Sequence, residues 1–335
     1  MENKRDYSSL ALVLTARRAS ERLPDKILSF IDGKSLLHHI LLRLKDMGGS
    51  VILATTDKDE DKELKKIATA LNVPTYCGDP DDVVKRIDNA VKECAPDAKL
   101  VLRCLGDMPF LSKNLVQRAA DVMLDTGSDA FSWFILPDAL ERMVYGSREF
   151  PYSREGWDRI VKKAKGDQRE HADMHFHQNR IMFKIDYHAA PDTVYFRNYR
   201  LEIDYPEDVA LLNKIVERYN LTETLRNVIR HLDQNQQLTY INRERVEKTG
   251  LIASYDYQQK RRWAKAMRGT PVINWDNSIW YAPQKNATPV FCASGTCHIG
   301  HGVGGIIHTK NGDQIRGQAR LECECGSGRW WNEPK

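Results

Sequence analysis

Leu10-Ala11-Leu12-Val13-Leu14-Thr15 runs without a break into Ala16-Arg17-Arg18-Ala19-Ser20-Glu21-Arg22-Leu23-Pro24-Asp25-Lys26, and the fold turns on how this stretch is read. The apolar run reads as a strand buried on both faces. It empties into a loop dense in Arg, Ser and Lys. At the carboxyl edge of an α/β sheet, cations and backbone N–H groups converge where such folds hold their ligands, so the loop reads as a pocket for a polyanion. Taken alone it could equally be a solvated basic turn.

Downstream, strand-like and helix-like segments alternate. Ser35 stands as an N-cap before Leu36, Leu37, Ile40, Leu41 and Leu44, whose spacing puts them on one helical face. Val51–Thr56 is a second buried strand, followed by the acidic run Asp57–Glu63 and a helix through Leu71. Val73–Cys77 is a short strand, and Asp81–Cys94 a helix with acid at its start to complement the dipole. Leu100–Leu105 is a central strand ending in Gly106-Asp107-Met108-Pro109; Ser112 caps another helix, and Asp129–Ile135 returns as a strand. Further on, Ile181–Ile185 and Tyr199–Ile203 have strand character, and Pro206 opens a helix through Tyr219. Strands separated by amphipathic helices predict a three-layer α/β fold, a mostly parallel sheet covered on both faces.

The whole chain bounds this reading. Its 335 residues suffice for one large α/β domain and a smaller one, and 41% hydrophobic with 29% charged residues is ordinary for a globular protein. No apolar run approaches the roughly 20 residues that span a bilayer, so no membrane partner is expected. Met1-Glu2-Asn3-Lys4-Arg5-Asp6 lacks the apolar core of a signal peptide, and a cytoplasmic location is the expectation. The net charge of +4 divides unevenly: residues 236–335 carry 14 Lys/Arg against 8 Asp/Glu, or +6, and the first 235 carry 36 against 38, or −2. Five of seven Trp and four of seven Cys also fall after 236, which places a domain boundary there, with an α/β domain over 1–235 and an extension over 236–335.

Two acidic motifs change the weight of the opening loop. Asp107 sits just past a buried strand on a turn shaped by Gly and Pro. Asp204, in Leu201-Glu202-Ile203-Asp204-Tyr205-Pro206-Glu207-Asp208, leaves a second extended segment where Pro206 starts a helix. Two carboxylates on strand ends facing one crevice can hold Mg²⁺, which takes oxygen ligands and usually phosphate oxygens as well.

With these motifs in order, the chain resembles the sugar-activating cytidylyltransferases: the CMP-Kdo synthetases and the spore-coat-polysaccharide and acylneuraminate types. Ala16–Lys26 is similar to their A-R-x-x-S-x-R-L-P-x-K signature, and Ala54-Thr55-Thr56-Asp57 to their second strand and its exit. Gly78–Arg86 resembles a G-x-x-x-D-V-L-x-R helix entry, Gly106–Pro109 a G-D-x-P turn, Arg169-Glu170-His171 an R-E-H element, and Ile203–Val209 a D-T-P-E-D-L segment. The similarity covers roughly residues 9 to 220 and implies a Rossmann-like nucleotide-diphospho-sugar transferase fold. The implied reaction is attack of a sugar hydroxyl on the α-phosphorus of a nucleoside triphosphate, CTP above all, with pyrophosphate released. The resemblance implies nucleotide contacts from Ala16, Arg17, Ser20, Arg22, Lys26, Arg86 and Asp107. Arg22 and Lys26 would neutralise charge, Asp107 and Asp204 would hold the catalytic Mg²⁺, and Arg169, Glu170 and His171 would meet the acceptor. It also implies a homodimer. Arg103 is a further crevice residue or the partner of a surface acid. The chain departs from the pattern at Ala19, at Glu21, at Asp25, where Gly commonly precedes the Lys, and at Tyr205, where Thr is usual. A metal at His171, His175 and His177 is a lesser alternative to an ordinary polar loop.

The extension lies outside this resemblance. Cys292-x4-Cys297 and Cys323-x-Cys325 occupy Gly-rich turns on either side of a hairpin formed by Gly305–Thr309 and Gln314–Leu321. Such pairs point to a small β-rich, zinc-ribbon-like module over about 288–331, with Cys292, Cys297, Cys323 and Cys325 holding structural Zn²⁺ and His298 or His301 as substitute ligands. A disulfide or free cysteines are the alternatives. Tyr255–Arg268 mixes aromatics with a basic cluster. The extension therefore carries a second reading, a nucleic-acid or polyanion-binding protein built on a diverged cytidylyltransferase fold.

Overall fold

In the computed structural model of the protein, side-chain alternation along β1 (Leu10–Thr15) sets the layers. Leu10, Leu12 and Leu14 enter one core, Ala11 and Val13 the other, and all five are fully buried. The structure describes residues 5–248, apart from 135–143, 148, 150, 180–181, 190–194, 196, 198 and 222; beyond 248 it gives the backbone of four short strands.

After β1 come a small hairpin, β2 (Phe30–Ile31) and β3 (Lys34–Ser35), then α1 (Leu36–Asp46), β4 (Ser50–Thr56), α2 (Lys62–Ala70), β5 (Thr75–Gly78), α3 (Val83–Cys94), β6 (Leu100–Leu105), α4 (Lys113–Thr126) and β7 (Ala130–Phe134). The chain continues through β8 (Pro151–Ser153), α5 (Arg154–Lys163), α6 (Asp167–Glu170), α7 (Met174–Gln178), β9 (Ile185–Ala189), α8 (Pro206–Val216), α9 (Leu225–Gln234) and α10 (Arg243–Lys248). Seven strands lie in the order β9-β7-β8-β6-β1-β4-β5, parallel except for β8, which is antiparallel to both neighbours. Helices α1, α2, α4, α8 and α9 cover one face; α3, α5 and α7 cover the other. This is the three-layer α/β fold expected from the sequence. Ser35, Asp82 and Ser112 cap α1, α3 and α4 as the N-cap chemistry requires, each accepting a backbone N–H from the first turn.

The connection that follows β1 leads to β4 on one side, and that following β6 leads to β7 on the other. Adjacent strands whose crossovers diverge open a crevice at their carboxyl ends. The register pairs Thr15 with Leu105, so the basic loop and the Gly106-Asp107 turn leave the sheet side by side. A Cβ on Gly106 would lie 3.3 Å from the Ala16 Cβ.

Tyr199–Ile203 departs from expectation. It is a strap outside the sheet, with a single bridge between Arg200 and Tyr145. Its backbone groups are taken up elsewhere: Tyr145 N–H donates to Tyr199 O (2.9 Å), Leu201 N–H to Tyr145 O (2.8 Å), and Ile203 N–H to Asp107 O (2.9 Å). That last bond ties the two acidic motifs together. The strand expected over Ile181–Ile185 begins only at Ile185, because Asp129 and Ala130 N–H donate to Lys184 O and parallel pairing with β7 starts at the next residue. β8, α5 and α9 carried no sequence expectation, and α8 ends at Val216 rather than Tyr219.

Gly146 marks the tightest crossing of the strap. Its φ is +83°, and a Cβ there would sit 2.6 Å from Glu202 N. Gly146→Ala is therefore expected to cost about 2–4 kcal/mol through left-handed strain and backbone overlap, lowering the melting temperature by roughly 5–10 °C. An unchanged thermal melt would show that the strap shifts without cost.

The composition change at residue 236 falls inside a segment packed on the core. Leu238 and Ile241 pack against it, and Asn242 is buried, donating to Arg200 O (3.0 Å) and Asp208 Oδ1 (2.9 Å). Cys292, Cys297, Cys323 and Cys325, His298, His301 and the basic cluster at 255–268 lie outside the described residues. Backbone pairing of Gly305–His308 with Gln314–Gly317 follows the expected antiparallel hairpin. No described helix is long and apolar enough to cross a membrane.

Candidate active site

The loop after β1 is held from beneath. Ala16 is buried, and its N–H reaches Ala54 O at 3.4 Å. Arg18 N–H donates to Asp61 Oδ1 at 2.8 Å, while the other oxygen of this buried carboxylate accepts from the Thr56 hydroxyl. Asp25 lies at φ +55°, a left-handed conformation that suits Gly and that Asp tolerates. Its carboxylate is engaged by the Arg18 guanidinium through bonds of 2.7 and 3.1 Å, which hold it below the usual carboxylate range. The acid beside Lys26 is thus paired with Arg18, and Glu21 is exposed. Neither occupies the carboxylate cluster described next.

Lys26 reaches across the crevice. Its Nζ donates to Asp107 Oδ2 at 2.7 Å and Asp204 Oδ1 at 2.9 Å. Burial opposes its charge, but the two acids outweigh burial and hold its pKa above the ordinary lysine value. Asp204, only 5% exposed in its side chain, also meets Arg22 Nη2 and Arg200 Nη2 through Oδ2, both at 2.9 Å. Burial pushes its pKa up, but Lys26, Arg22 and Arg200 outweigh burial and hold it below the ordinary value. Glu202 completes the cluster, with one oxygen each from Asp107, Glu202 and Asp204 lying within 4.8 Å of one another. Burial, reinforced by Asp107 and Asp204, pushes the Glu202 carboxyl up to about 8. Glu202 Oε2 is ion-paired with Arg200 Nη1 at 3.3 Å but is buried without a hydrogen bond, as is Asp107 Oδ1. Three converging acids with two such oxygens fit a hard divalent cation.

Arg86 lies on the other side of the loop. Its Nη1 donates to Asp79 O (2.7 Å) and Pro80 O (3.3 Å), its Nε is buried without a partner, and Arg17 also reaches Pro80 O at 3.5 Å. Burial, with Arg17 and Arg103 nearby, holds the Arg86 guanidinium below its ordinary value. Arg103 pairs with Asp173, which also accepts from Tyr152 OH at 3.0 Å. The Arg169-Glu170-His171 element is brought to the same mouth. Arg169 is bound to the Asp82 cap of α3 and to Val161 O (2.9 Å), Glu170 pairs with Arg17 at 3.3 Å, and His171 is exposed. Ser20 is half-buried in the loop.

Sequence reasoning gave no role to Glu202, Arg200, Asp208 or Asn242. Asp208 Oδ2 accepts the N–H groups of Asp204 and Tyr205, both at 3.0 Å, and the fully buried Arg200 bonds Asp208 and Asp204 together. The alternation Glu202-Ile203-Asp204 was a usable signal, since extended chain sends alternate side chains to one side.

A strand-end crevice carrying a basic loop, a lysine and converging acids defines the class as a nucleotidyltransferase of Rossmann-like fold. The chain belongs to the cytidylyltransferase family, whose profile matches residues 11–249. It is 28% identical over 234 residues to an uncharacterised protein of Methanocaldococcus jannaschii, covering 69% of this chain and 93% of that protein. It is 21% identical over 218 residues to the spore coat polysaccharide biosynthesis protein SpsF of Bacillus subtilis, covering 63% and 88% respectively. Among solved structures, a cytidylyltransferase from Leptospira borgpetersenii shares the fold with a TM-score of 0.62 at 20% identity, over 69% of this chain and 96% of that one.

Proposed function

We propose that the protein transfers CMP from CTP to a sugar hydroxyl with Mg²⁺ dependence, releasing pyrophosphate. The observation that carries this reading is the convergence of Lys26 with Asp107, Glu202 and Asp204 beneath Arg22 at the β1/β6 crevice. Asp107 and Asp204 would hold Mg²⁺, with Glu202 beside them. When bound, the ion supplies positive charge to the reacting phosphate and to the attacking oxygen. The acceptor hydroxyl oxygen forms a bond to the α-phosphorus as the bond to the bridging oxygen breaks, the electron pair leaving with pyrophosphate and the hydroxyl proton passing to solvent. Arg22 and Lys26 neutralise the departing pyrophosphate, and Arg17, Ser20 and the loop backbone align the triphosphate for in-line displacement. Arg86, with its unpartnered buried Nε, supplies a further cation at the nucleotide. Arg169 shapes the acceptor side by fixing Asp82, leaving Glu170 and His171 at the rim. A sugar acceptor is favoured by the relative that acts in spore coat polysaccharide biosynthesis.

Incubating the protein with Mg²⁺, each of the four nucleoside triphosphates and a panel of sugars is expected to release pyrophosphate with CTP, and EDTA is expected to abolish it. Failure to bind any triphosphate by calorimetry would refute the proposal.

A further inference from the structure

One aromatic ring collects guanidinium groups from three separate parts of the chain. The Arg22 Cζ, from the basic loop, lies 5.7 Å from the centroid of Tyr205; that of the buried Arg200 also lies at 5.7 Å; and that of Arg245, from α10, lies at 4.2 Å. Arg245 is held in turn by both oxygens of Glu207, at 3.0 and 3.3 Å. α10 itself is anchored just upstream by the buried Asn242.

Arg22 needs such support. Its side chain is 56% exposed and projects from irregular chain, so a long rotamer-rich cation would otherwise lose considerable freedom on meeting a ligand. Asp204 and Tyr205 restrain it, the first through its carboxylate and the second through its ring and its hydroxyl. A divalent cation recruited by Asp204 competes with Arg22 for that carboxylate. The ring makes no such exchange, and it is the restraint that persists in the loaded site.

We infer that Tyr205 is a positioning residue for Arg22, and that α10, by bracing the ring through Arg245, sets the grip of the loop on the triphosphate. This rests on the reading of Arg22 as a triphosphate ligand given above. Tyr205 caps α8 with extended backbone (φ −132°, ψ 159°), a place where Thr is also a good N-cap, so Tyr205→Thr removes the ring while keeping the helix start. Loss of one partly exposed cation–π contact predicts a two- to fivefold effect, roughly, on triphosphate affinity.

The test is calorimetry with inorganic tripolyphosphate, which engages the loop without a nucleoside, together with steady-state kinetics in CTP. Tyr205→Thr and Arg245→Met are each expected to weaken tripolyphosphate by that factor and to lower kcat/KM for CTP by at least as much, since Arg22 serves both the bound triphosphate and the departing pyrophosphate. Tyr205→Phe, which keeps the ring, is expected to restore most of the grip. Tyr205→Thr binding tripolyphosphate as the wild type does would overturn the inference alone, and so would Tyr205→Phe as weak as Tyr205→Thr. A fall in kcat with tripolyphosphate affinity unchanged marks lost folded enzyme rather than a misplaced cation, and also overturns it. A wild type that binds neither tripolyphosphate nor CTP removes the reading of the site and this inference together.

Discussion

Asp204→Asn is expected to slow pyrophosphate release by about a thousandfold, at the upper end of what removing one charge-stabilising group costs in a preorganised site. Asn keeps the shape and one acceptor oxygen, so the loss isolates the negative charge. That charge meets three cations: Lys26 on Oδ1, and Arg22 and Arg200 on Oδ2. The effect on stability is smaller. Arg200 keeps its bonds to Asp208, and Lys26 keeps Asp107, so the fold should lose about 1–3 kcal/mol, the worth of charge-assisted bonds given up in a buried place. Stopped-time assays of pyrophosphate release at saturating CTP, beside a urea melt, separate the two effects. A rate within tenfold of wild type would take Asp204 away from the reacting phosphate.

Lys26→Met is expected to move two observables in opposite directions. Catalysis should fall by about 10²–10³, because the departing pyrophosphate loses a cation. Metal affinity without nucleotide should rise instead. In the free enzyme Lys26 Nζ sits among the carboxylates that would hold the ion, 2.7 Å from Asp107 and 2.9 Å from Asp204. An incoming Mn²⁺ must displace that ammonium or share its oxygens. Two unit charges 4 Å apart at an effective dielectric near 20 interact by about 4 kcal/mol, so relief of even a third of this repulsion tightens Mn²⁺ roughly tenfold. Titration with Mn²⁺ followed by electron paramagnetic resonance reads the affinity directly. Equal or weaker Mn²⁺ binding in the variant would show that Lys26 and the ion do not compete. Such competition would also predict that in the wild type Mn²⁺ binds more tightly with triphosphate present, since the triphosphate would give the displaced lysine a new partner.

The parts of this site that were legible in the sequence are local ones. A buried run ending in Arg, Ser and Lys, a Gly-Asp turn after Leu105 and an Asp two residues before Pro206 each announce themselves within a few positions, because a strand end and a helix start leave their marks in adjacent residues. What escaped depends on chain segments far apart. Asp61 reads as one more acid in a solvated run, yet it holds the Arg18 N–H, 43 positions away. Asp25 stands where the resembling family commonly has Gly, and only its left-handed backbone and its pairing with Arg18 show how an acid fits there. Arg169 is bound to Asp82, 87 positions away, a pairing that no local pattern announces. Tyr199–Ile203 has strand composition, but the sheet has no place for it. Its N–H groups instead join the Asp107 turn to residue 145, and that displacement carries Glu202 into the cluster with Asp107 and Asp204.

Asn242 has a consequence for how this polypeptide can be divided. Compositionally the chain changes character at 236, which invites a cut there. A chain ending at 235 would leave Asp208 Oδ1 and Arg200 O without the amide that satisfies them, and would strip Arg245 from the ring beside Arg22. A cut that keeps these contacts must fall after Arg245. A graft made at 235 is expected to weaken triphosphate binding, although every residue proposed to meet the triphosphate would be kept.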